Sequence, residues 1–211
     1  MRNYTRIDKY LDELLSDLYP QPPDPQHLCW MLWTIRRFMK MFPECKSVLD
    51  VGCGEAHAQN YFNVYGADYF GICLGKDWEN ARKRNRHVSQ IDFNFIPLAE
   101  RYDLIFARHA LEHSPIPLLT LMEWHRVSNR WLCLVVPNPD YWTYYGRNHY
   151  FVLNKQQMRW ILRRSGWKIV WKQYNKYEYR YFCEKHPRIS YEGWATAPLD
   201  AKIYESERDN P

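Results

Sequence analysis

The feature that most constrains the fold is a strand that leads into a glycine turn and then into a helix. Residues 48–51 are a short apolar run, Gly52-Cys53-Gly54 follows, and residues 55–65 have helical spacing. Further strand-like and helix-like segments alternate along the chain after this point. Strands that alternate with helices form a parallel sheet covered by helices on both faces. The sequence therefore predicts an α/β fold.

The remaining segments fit the same architecture. We predict further strands at residues 68–74, 88–91, 102–107 and 131–136, further helices at 76–84 and 118–126, and a strand hairpin at 167–174 and 177–183. Asn154 and Gln157 have the spacing of a capping box, and Gly166 suits the end of that helix. Two helices, at residues 6–18 and 26–41, precede the first strand. We expect residues 1–45 to be a helical cover, 46–185 the main domain and 186–211 a polar tail.

Composition excludes several classes of protein. A chain of 211 residues has room for about one domain. It contains no apolar run of about 18 residues, so no membrane span is expected, and its polar start predicts no secretory signal. The six cysteines include no CxxC pair and lie mostly in apolar, strand-like segments, where cysteine acts as a small apolar residue. We therefore expect a reduced, cytoplasmic protein.

Charge and aromatic content are compatible with more than one partner. The net charge is +5, and residues 155–188 hold ten Lys and Arg against only Glu178 and Glu184. Such a basic segment fits a polyanionic partner, although a solvated face is the more common explanation. Aromatic residues make up 17% of the chain and could either fill a core or stack on planar ligands.

The glycine turn allows a ligand to approach the backbone closely. A dinucleotide site would continue as GxGxxG, but His57 occupies the third glycine position. The acid expected about 20 residues later is also missing, because Cys73 and Leu74 stand there. The sequence therefore disfavours a nicotinamide cofactor.

Three sequence blocks occur in a recognisable order. They are VLDVGCGEA at residues 48–56, then Asp92 with Ile96-Pro97-Leu98 and Tyr102-Asp103-Leu104-Ile105, then Ala110-Leu111-Glu112-His113 with Arg126-Val127 and Val136-Pro137-Asn138-Pro139. Together they resemble the class I S-adenosylmethionine-dependent methyltransferases of the small Leu-Glu-His type. The resemblance covers about residues 45–174. It implies a Rossmann-like fold with a seven-stranded, mostly parallel sheet and a C-terminal antiparallel hairpin.

The resemblance also implies a cofactor site. The turn made by Gly52, Cys53 and Gly54 would pass under the amino acid part of S-adenosylmethionine, and Asp50 would organise its amino end. Asp92 would accept a hydrogen bond from the adenine, with Phe93 beside the ring, and Arg108 and His109 would border the methyl donor. An ordinary Asx turn before Asn94 is the alternative for Asp92.

One position departs from the family pattern. The family ends its second strand with an acid that binds both ribose hydroxyls, whereas this chain has Gly71-Ile72-Cys73. A thiol is a poor acceptor for two hydroxyl groups. We expect either Asp77, from the next helix, or water to replace the missing acid at Cys73.

Histidines supply the candidates for a catalytic base. A histidine titrates near neutral pH, and His109, His113 and His149 follow the strands expected at the site. A divalent metal ion is a less favoured alternative. His109, Glu112 and His113 have the i, i+3, i+4 spacing of one helical face, and His149 could complete a mixed nitrogen and oxygen ligand set.

The acceptor is only partly constrained. Within the family, methylation of exocyclic DNA amines goes with an Asp/Asn-Pro-Pro-aromatic run after the fourth strand, where this chain has Arg108-His109-Ala110. Carbon-5 pyrimidine methylation needs a cysteine there, and none is present. We expect the aromatic segment 140–151 to form an acceptor lid. The expected activity is methyl transfer to an oxygen or nitrogen of a small molecule, sugar or nucleotide. The alternatives are an RNA or DNA acceptor, or a non-catalytic binding module.

Overall fold

A seven-stranded sheet organises the protein in a computed structural model, which describes residues 5–15, 25–141 and 149–186. The strands are β1 (Ser47–Val51), β2 (Asp68–Cys73), β3 (Val88–Gln90), β4 (Tyr102–Arg108), β5 (Ser128–Pro137), β6 (Trp167–Tyr174) and β7 (Glu178–Lys185). The helices are α1 (Thr5–Leu15), α2 (Pro25–Met41), α3 (Ala58–Val64), α4 (Gly75–Lys83), α5 (Pro117–Val127) and α6 (Lys155–Arg164). A short 3₁₀ turn, Leu111–His113, follows β4.

The order of the strands places the glycine turn where the direction in which successive strands are added to the sheet reverses. The order is β3-β2-β1-β4-β5-β7-β6, with β1 to β5 parallel and β7 antiparallel to both β5 and β6. The predicted seven-stranded, mostly parallel sheet with a terminal hairpin is confirmed. Successive strands run outward from β1 in one direction and from β4 in the other. Ligands of open α/β sheets bind in the crevice at such a switch point.

Each face of the sheet has its own hydrophobic core. Neighbouring residues of β1 point to opposite faces, so Val48 packs with Phe62 and Phe106 while Leu49 packs with Ile105 and Trp124. The central strands are therefore apolar on both faces and read as continuous hydrophobic runs. This burial fixes the carboxyl ends of β1 and β4 beside each other.

The two N-terminal helices form the expected cover. On α2, the buried Phe38 packs edge-on against Phe182, with ring centroids 5.2 Å apart. Thr34 Oγ1 accepts a hydrogen bond of 3.1 Å from Arg180 Nε. On α1, the carbonyl oxygen of Leu14 accepts a 2.8 Å hydrogen bond from Tyr150 Oη. The part of the first predicted helix beyond residue 15 lies outside the described residues.

The capping box that the sequence predicted for the C-terminal helix is present. Asn154 Oδ1 accepts from the Gln157 backbone at 2.9 Å and Gln157 Oε1 accepts from the Asn154 backbone at 3.0 Å, as the capping box requires. The first predicted helix boundary after the glycine turn was wrong, because α3 begins at Ala58 rather than at residue 55. The chain turns instead through Ala56, whose φ of +56° is left-handed.

None of the described helices has the length and apolar character to cross a bilayer.

Candidate active site

The glycine turn, Gly52-Cys53-Gly54, shapes the crevice at the end of β1. Gly52 and Gly54 have φ values of +69° and +55°. The backbone nitrogens of Gly52 and Cys53 both donate to the carbonyl oxygen of Ile72, at 2.9 and 3.1 Å. A Cβ on Gly52 would lie 2.8 Å from the Cβ of Ala110. The position therefore needs glycine both for its backbone angles and for the close approach of the chain after β4.

Asp50 is a buried carboxylic acid on β1, two residues before Gly52. Its Oδ2 accepts a 2.6 Å hydrogen bond from Tyr69 Oη, across the β1–β2 pair. Burial raises the pKa of Asp50 to about 7, although Tyr69 and Arg108 both act to lower it. A nearby cation would favour the charged form of this acid.

Replacing Asp50 with Asn is expected to flatten the pH dependence of stability. Its pKa rises from 3.8 to about 7 on folding, so between these values the folded state binds the extra proton and stability falls as pH rises. Relative to Asp50→Asn, the natural protein should lose about 2–3 kcal/mol between about pH 5 and pH 8. Urea unfolding at both pH values measures the difference. The exposed Asp68→Asn is the control, and equal pH dependence in all three proteins would contradict the pKa shift.

Asp77 lies beside the glycine turn, on the helix that follows the second strand. Cys73 is buried at the end of β2, where the expected acid would stand. Asp77, in the first turn of α4, has its Oδ2 4.0 Å from the point where a Cβ on Gly54 would lie. Burial and the neighbouring Glu55 raise the pKa of Asp77 to about 6. Its carboxyl group can therefore accept hydrogen bonds from a ligand lying on the glycine turn.

Asp92 and Phe93 follow β3, and the Phe93 ring reaches the glycine turn. Asp92 Oδ1 accepts from the backbone nitrogen and from Nδ2 of Asn94, both at 2.8 Å, so the Asx turn considered for this residue is present. The ring of Phe93 would lie 3.6 Å from a Cβ on Gly52. The Phe93 carbonyl oxygen accepts a 2.9 Å hydrogen bond from Trp124 Nε1, which holds this loop against the core.

Glu178 is the centre of a buried charged network that our sequence analysis did not identify as functional. Its Oε1 accepts from Arg108 Nη2 at 2.6 Å and lies 2.8 Å from His109 Nε2. Its Oε2 accepts from Arg180 Nη2 at 2.5 Å. Burial raises the pKa of Glu178, but His109 and the two arginines outweigh it and lower the pKa to about 2. The one available signal was an acid in an otherwise basic hairpin.

His109 is enclosed between two carboxylates. Its Nε2 faces Glu178, and its Nδ1 lies 3.2 Å from Glu112 Oε1. Burial lowers the pKa of His109, yet the two carboxylates outweigh it and the pKa is raised above its usual value. The ring of His27, at the start of α2, stacks on it with centroids 5.7 Å apart. The two carboxylates favour the charged form of this ring, which can orient both of them.

Glu112, His113 and His149 converge into what we call the Glu-His-His cluster. One potential ligand atom from each lies within 4.8 Å of the others. The His113 and His149 rings meet edge to face, with centroids 4.7 Å apart. The expectation that His109 shares a helical face with Glu112 and His113 was wrong. The chain is left-handed at His109, with φ +51°, and the 3₁₀ turn begins only at Leu111.

Only part of the expected acceptor lid can be described. Trp142, Tyr144 and Tyr145 lie outside the described residues. At the near end of the segment, Tyr141 packs edge-on against Tyr177, with centroids 4.7 Å apart. At the far end, the backbone nitrogen of Tyr150 donates to the carbonyl oxygen of Glu112 at 2.8 Å. Both ends of the segment therefore border the site.

Comparison with known proteins matches most of the chain to one family. Residues 8–173 match the model of a family described as a methyltransferase domain. No curated protein sequence matches the chain.

Solved structures share the fold at low identity. An S-adenosylmethionine-dependent methyltransferase from Aquifex aeolicus has 19% identity and a TM-score of 0.60, over 88% of this chain and all of that one. One from Archaeoglobus fulgidus has 15% identity and a TM-score of 0.61, over 75% of this chain and 94% of that one. Magnesium protoporphyrin IX methyltransferase from Synechocystis, solved with bound S-adenosylmethionine, has 13% identity and a TM-score of 0.60. The match covers 88% of this chain and 98% of that one.

Proposed function

The chain belongs to this methyltransferase-domain family, and from that membership we propose that it transfers the methyl group of S-adenosylmethionine to an oxygen or nitrogen acceptor. The observation that carries the proposal is the family match over residues 8–173. The position of the glycine turn at the switch point of the sheet supports it, because ligands bind there in open α/β folds. The product of the cofactor would be S-adenosylhomocysteine.

Each part of the cofactor has a candidate partner along the crevice. The amino acid part would lie on the glycine turn, and its ammonium group would draw Asp50 into the charged form. The ribose hydroxyls would reach Asp77, since Cys73 offers only a weak acceptor. The adenine would lie near Asp92, with the Phe93 ring beside it. Arg108 and His109, held by Glu178, would border the methyl group.

The reaction needs alignment and the removal of one proton. The acceptor atom forms a bond to the methyl carbon while the carbon–sulfur bond breaks, and sulfur keeps that electron pair as a neutral thioether. The acceptor's proton must leave to a base. His149 suits this role because burial lowers its pKa, which keeps the ring neutral near pH 7. His113, in ring contact with it, is the second candidate.

A small molecule or glycan is the acceptor class we favour, with nucleic acid as the second candidate. The ammonium group of Lys176 lies near two tyrosine rings at the rim of the site. Its Nζ is 5.6 Å from the centroids of both Tyr141 and Tyr177. Such a surface can stack on a sugar or a base and attract a phosphate. A methylation screen across glycans, nucleosides and RNA separates the two classes. RNA binding that weakens steeply with salt would favour nucleic acid.

Binding of S-adenosylhomocysteine tests the proposal directly. We expect a dissociation constant in the micromolar range by isothermal titration calorimetry. Asp92→Ala should weaken it about tenfold through loss of one hydrogen bond to the adenine. The control is Asp68→Ala, an exposed change at the opposite end of β2. No heat at millimolar ligand would instead support a non-catalytic binding module.

We also propose that the protein works in a reducing compartment, as expected for the cytoplasm. All six cysteines are free, and Cys45, Cys133 and Cys183 are buried in the core. Burial raises the pKa of Cys45 to about 12, so this thiol stays protonated and unreactive. The buried cysteines therefore serve as small apolar core residues.

A further inference from the structure

We propose that Glu112, His113 and His149 bind one divalent transition-metal ion beside the methyl donor. The three residues come from two separated segments, the 3₁₀ turn after β4 and the chain that leads into α6. The two segments are joined by the hydrogen bond from the Tyr150 backbone nitrogen to the Glu112 carbonyl oxygen, at 2.8 Å. This bond sets His149 against His113.

The spacing of the cluster suits a single ion. One ligand atom from each residue lies within 4.8 Å of the other two. Ligands bound at about 2.1 Å from an ion are themselves about 3.0–3.5 Å apart, so small side-chain rotations close the set. Glu112 is 1% exposed, and His113 and His149 are half-buried, which leaves one open side.

The carboxylate of Glu112 supplies an independent reason for a cation. Neither of its buried oxygens has a hydrogen-bond partner among the described residues. Oε1 lies 3.2 Å from His109 Nδ1 and forms an ion pair with it, but this contact does not involve Oε2. A buried charge is costly unless it is paired and hydrogen-bonded. An ion between Glu112 and the two histidines would satisfy the second oxygen.

The chemistry of the donors selects the class of ion. Two imidazoles and one carboxylate favour Mn²⁺, Fe²⁺, Co²⁺ or Zn²⁺, whereas Ca²⁺ and Mg²⁺ prefer oxygen ligands alone. Three protein ligands leave at least one coordination position open, which is the pattern of reactive rather than structural sites. His109 is not a ligand, because Glu112 and Glu178 occupy its two nitrogens.

The position of the cluster connects the ion to the acceptor, and this step rests on the proposed function. Ala110, two residues before Glu112, abuts the glycine turn. An ion here would bind an acceptor hydroxyl and lower its pKa, so that the proton leaves to solvent. The oxygen then bonds to the methyl carbon as the carbon–sulfur bond breaks. With an ion bound, His149 would be a ligand and would not serve as the base proposed above. The acceptor would then be a hydroxyl rather than an amine.

Titration of chelator-treated full-length protein with Mn²⁺, Zn²⁺ and Co²⁺ tests the site. We expect one ion per chain, and a visible Co²⁺ absorption spectrum that reports nitrogen ligands. His149→Ala and Glu112→Gln should each weaken ion binding at least about 10–100-fold. The matched control is His125→Ala, a histidine of α5 whose Nε2 contacts the carbonyl oxygen of His186 instead. Thermal unfolding of each variant shows that it is folded.

The outcomes separate this inference from the function on which it builds. Binding of S-adenosylhomocysteine without uptake of any of the three ions at millimolar concentration overturns the metal site alone. Ion binding that both variants leave unchanged also overturns it, because the ion then lies elsewhere. Ion uptake without S-adenosylhomocysteine binding supports the metal site and counts against the proposed methyl transfer.

Discussion

Replacing Glu178 with glutamine is expected to lower the free energy of unfolding by about 3–5 kcal/mol. The side chain is buried and is the shared partner of Arg108, His109 and Arg180. Glutamine keeps the shape but removes the charge that pairs with Arg108 and Arg180, and it leaves Glu112 as the remaining carboxylate beside His109. The lowered pKa of about 2, against 4.5, points to the same magnitude, because a difference of about 2.5 units corresponds to about 3 kcal/mol.

The same shift sets a pH window for this contribution. A carboxylate with a lowered pKa in the folded state stabilises the protein above its unfolded pKa of 4.5, and the gain is lost as pH falls toward about 2. Urea unfolding near pH 7 measures the effect of Glu178→Gln. The matched control is Glu184→Gln on the same strand, which contacts the half-exposed Arg130 and should change stability by less than about 1 kcal/mol. Equal stability of the two variants would refute the network.

Replacing Gly52 with alanine should weaken cofactor binding strongly. The new methyl group would lie 2.8 Å from Ala110 Cβ and 3.6 Å from the Phe93 ring, inside the crevice proposed for the cofactor. The chain after β4 cannot retreat without disturbing the network around His109. We expect the dissociation constant of S-adenosylhomocysteine to rise about 100-fold or more, since overpacking alone costs about 1–3 kcal/mol and the ligand loses its contact surface.

Gly66→Ala is the control that isolates this effect. Gly66 has φ +70°, nearly the same as Gly52, but a Cβ there would meet nothing within 4 Å. It therefore carries the left-handed backbone penalty of about 1–2 kcal/mol without the close approach. Calorimetric titration of both variants, with unfolding curves as a check on folding, makes the comparison. Gly52→Ala protein that binds the ligand as tightly as Gly66→Ala would show that the cofactor lies elsewhere.

The two glycine variants and the Glu178 variant address different parts of the site. The Gly52 variant tests whether the cofactor contacts the protein backbone at the glycine turn. The Glu178 variant tests what holds Arg108 and His109 near the methyl group. A Glu178→Gln protein that remains folded should bind S-adenosylhomocysteine nearly normally if the network acts only on the acceptor side. Loss of both binding and stability would instead mean that β7 supports the whole crevice.

Sequence reasoning succeeded where neighbouring residues decide the structure. Hydrophobic periodicity of 2 or 3.6 residues indicated the strands and helices, and the Asn154–Gln157 capping box is formed within four residues. The alternation of strands and helices then predicted the parallel sheet. The glycine turn was recognisable because the strand and the two glycines that form it are neighbours in the chain.

The same reasoning failed where packing overrides local preference. The spacing of His109, Glu112 and His113 indicated one helical face, but the chain enters the 3₁₀ turn only at Leu111. His109 has a left-handed backbone, and its ring packs between Glu178 and Glu112, which come from different elements. The helix after the glycine turn begins late for a similar reason, since the buried Ala56 adopts a left-handed turn first.

The sequence by itself determined the strand and helix pattern and the glycine turn, because each is encoded by residues close together. The order of three such short blocks along the chain indicated the family. Only the tertiary structure decided which side chains meet at the site. Glu178 lies 69 residues after His109 and reaches it through the antiparallel pairing of β5 and β7. His149 meets Glu112 and His113 through one backbone hydrogen bond. Contacts of this kind depend on burial across the sheet, which no local pattern encodes.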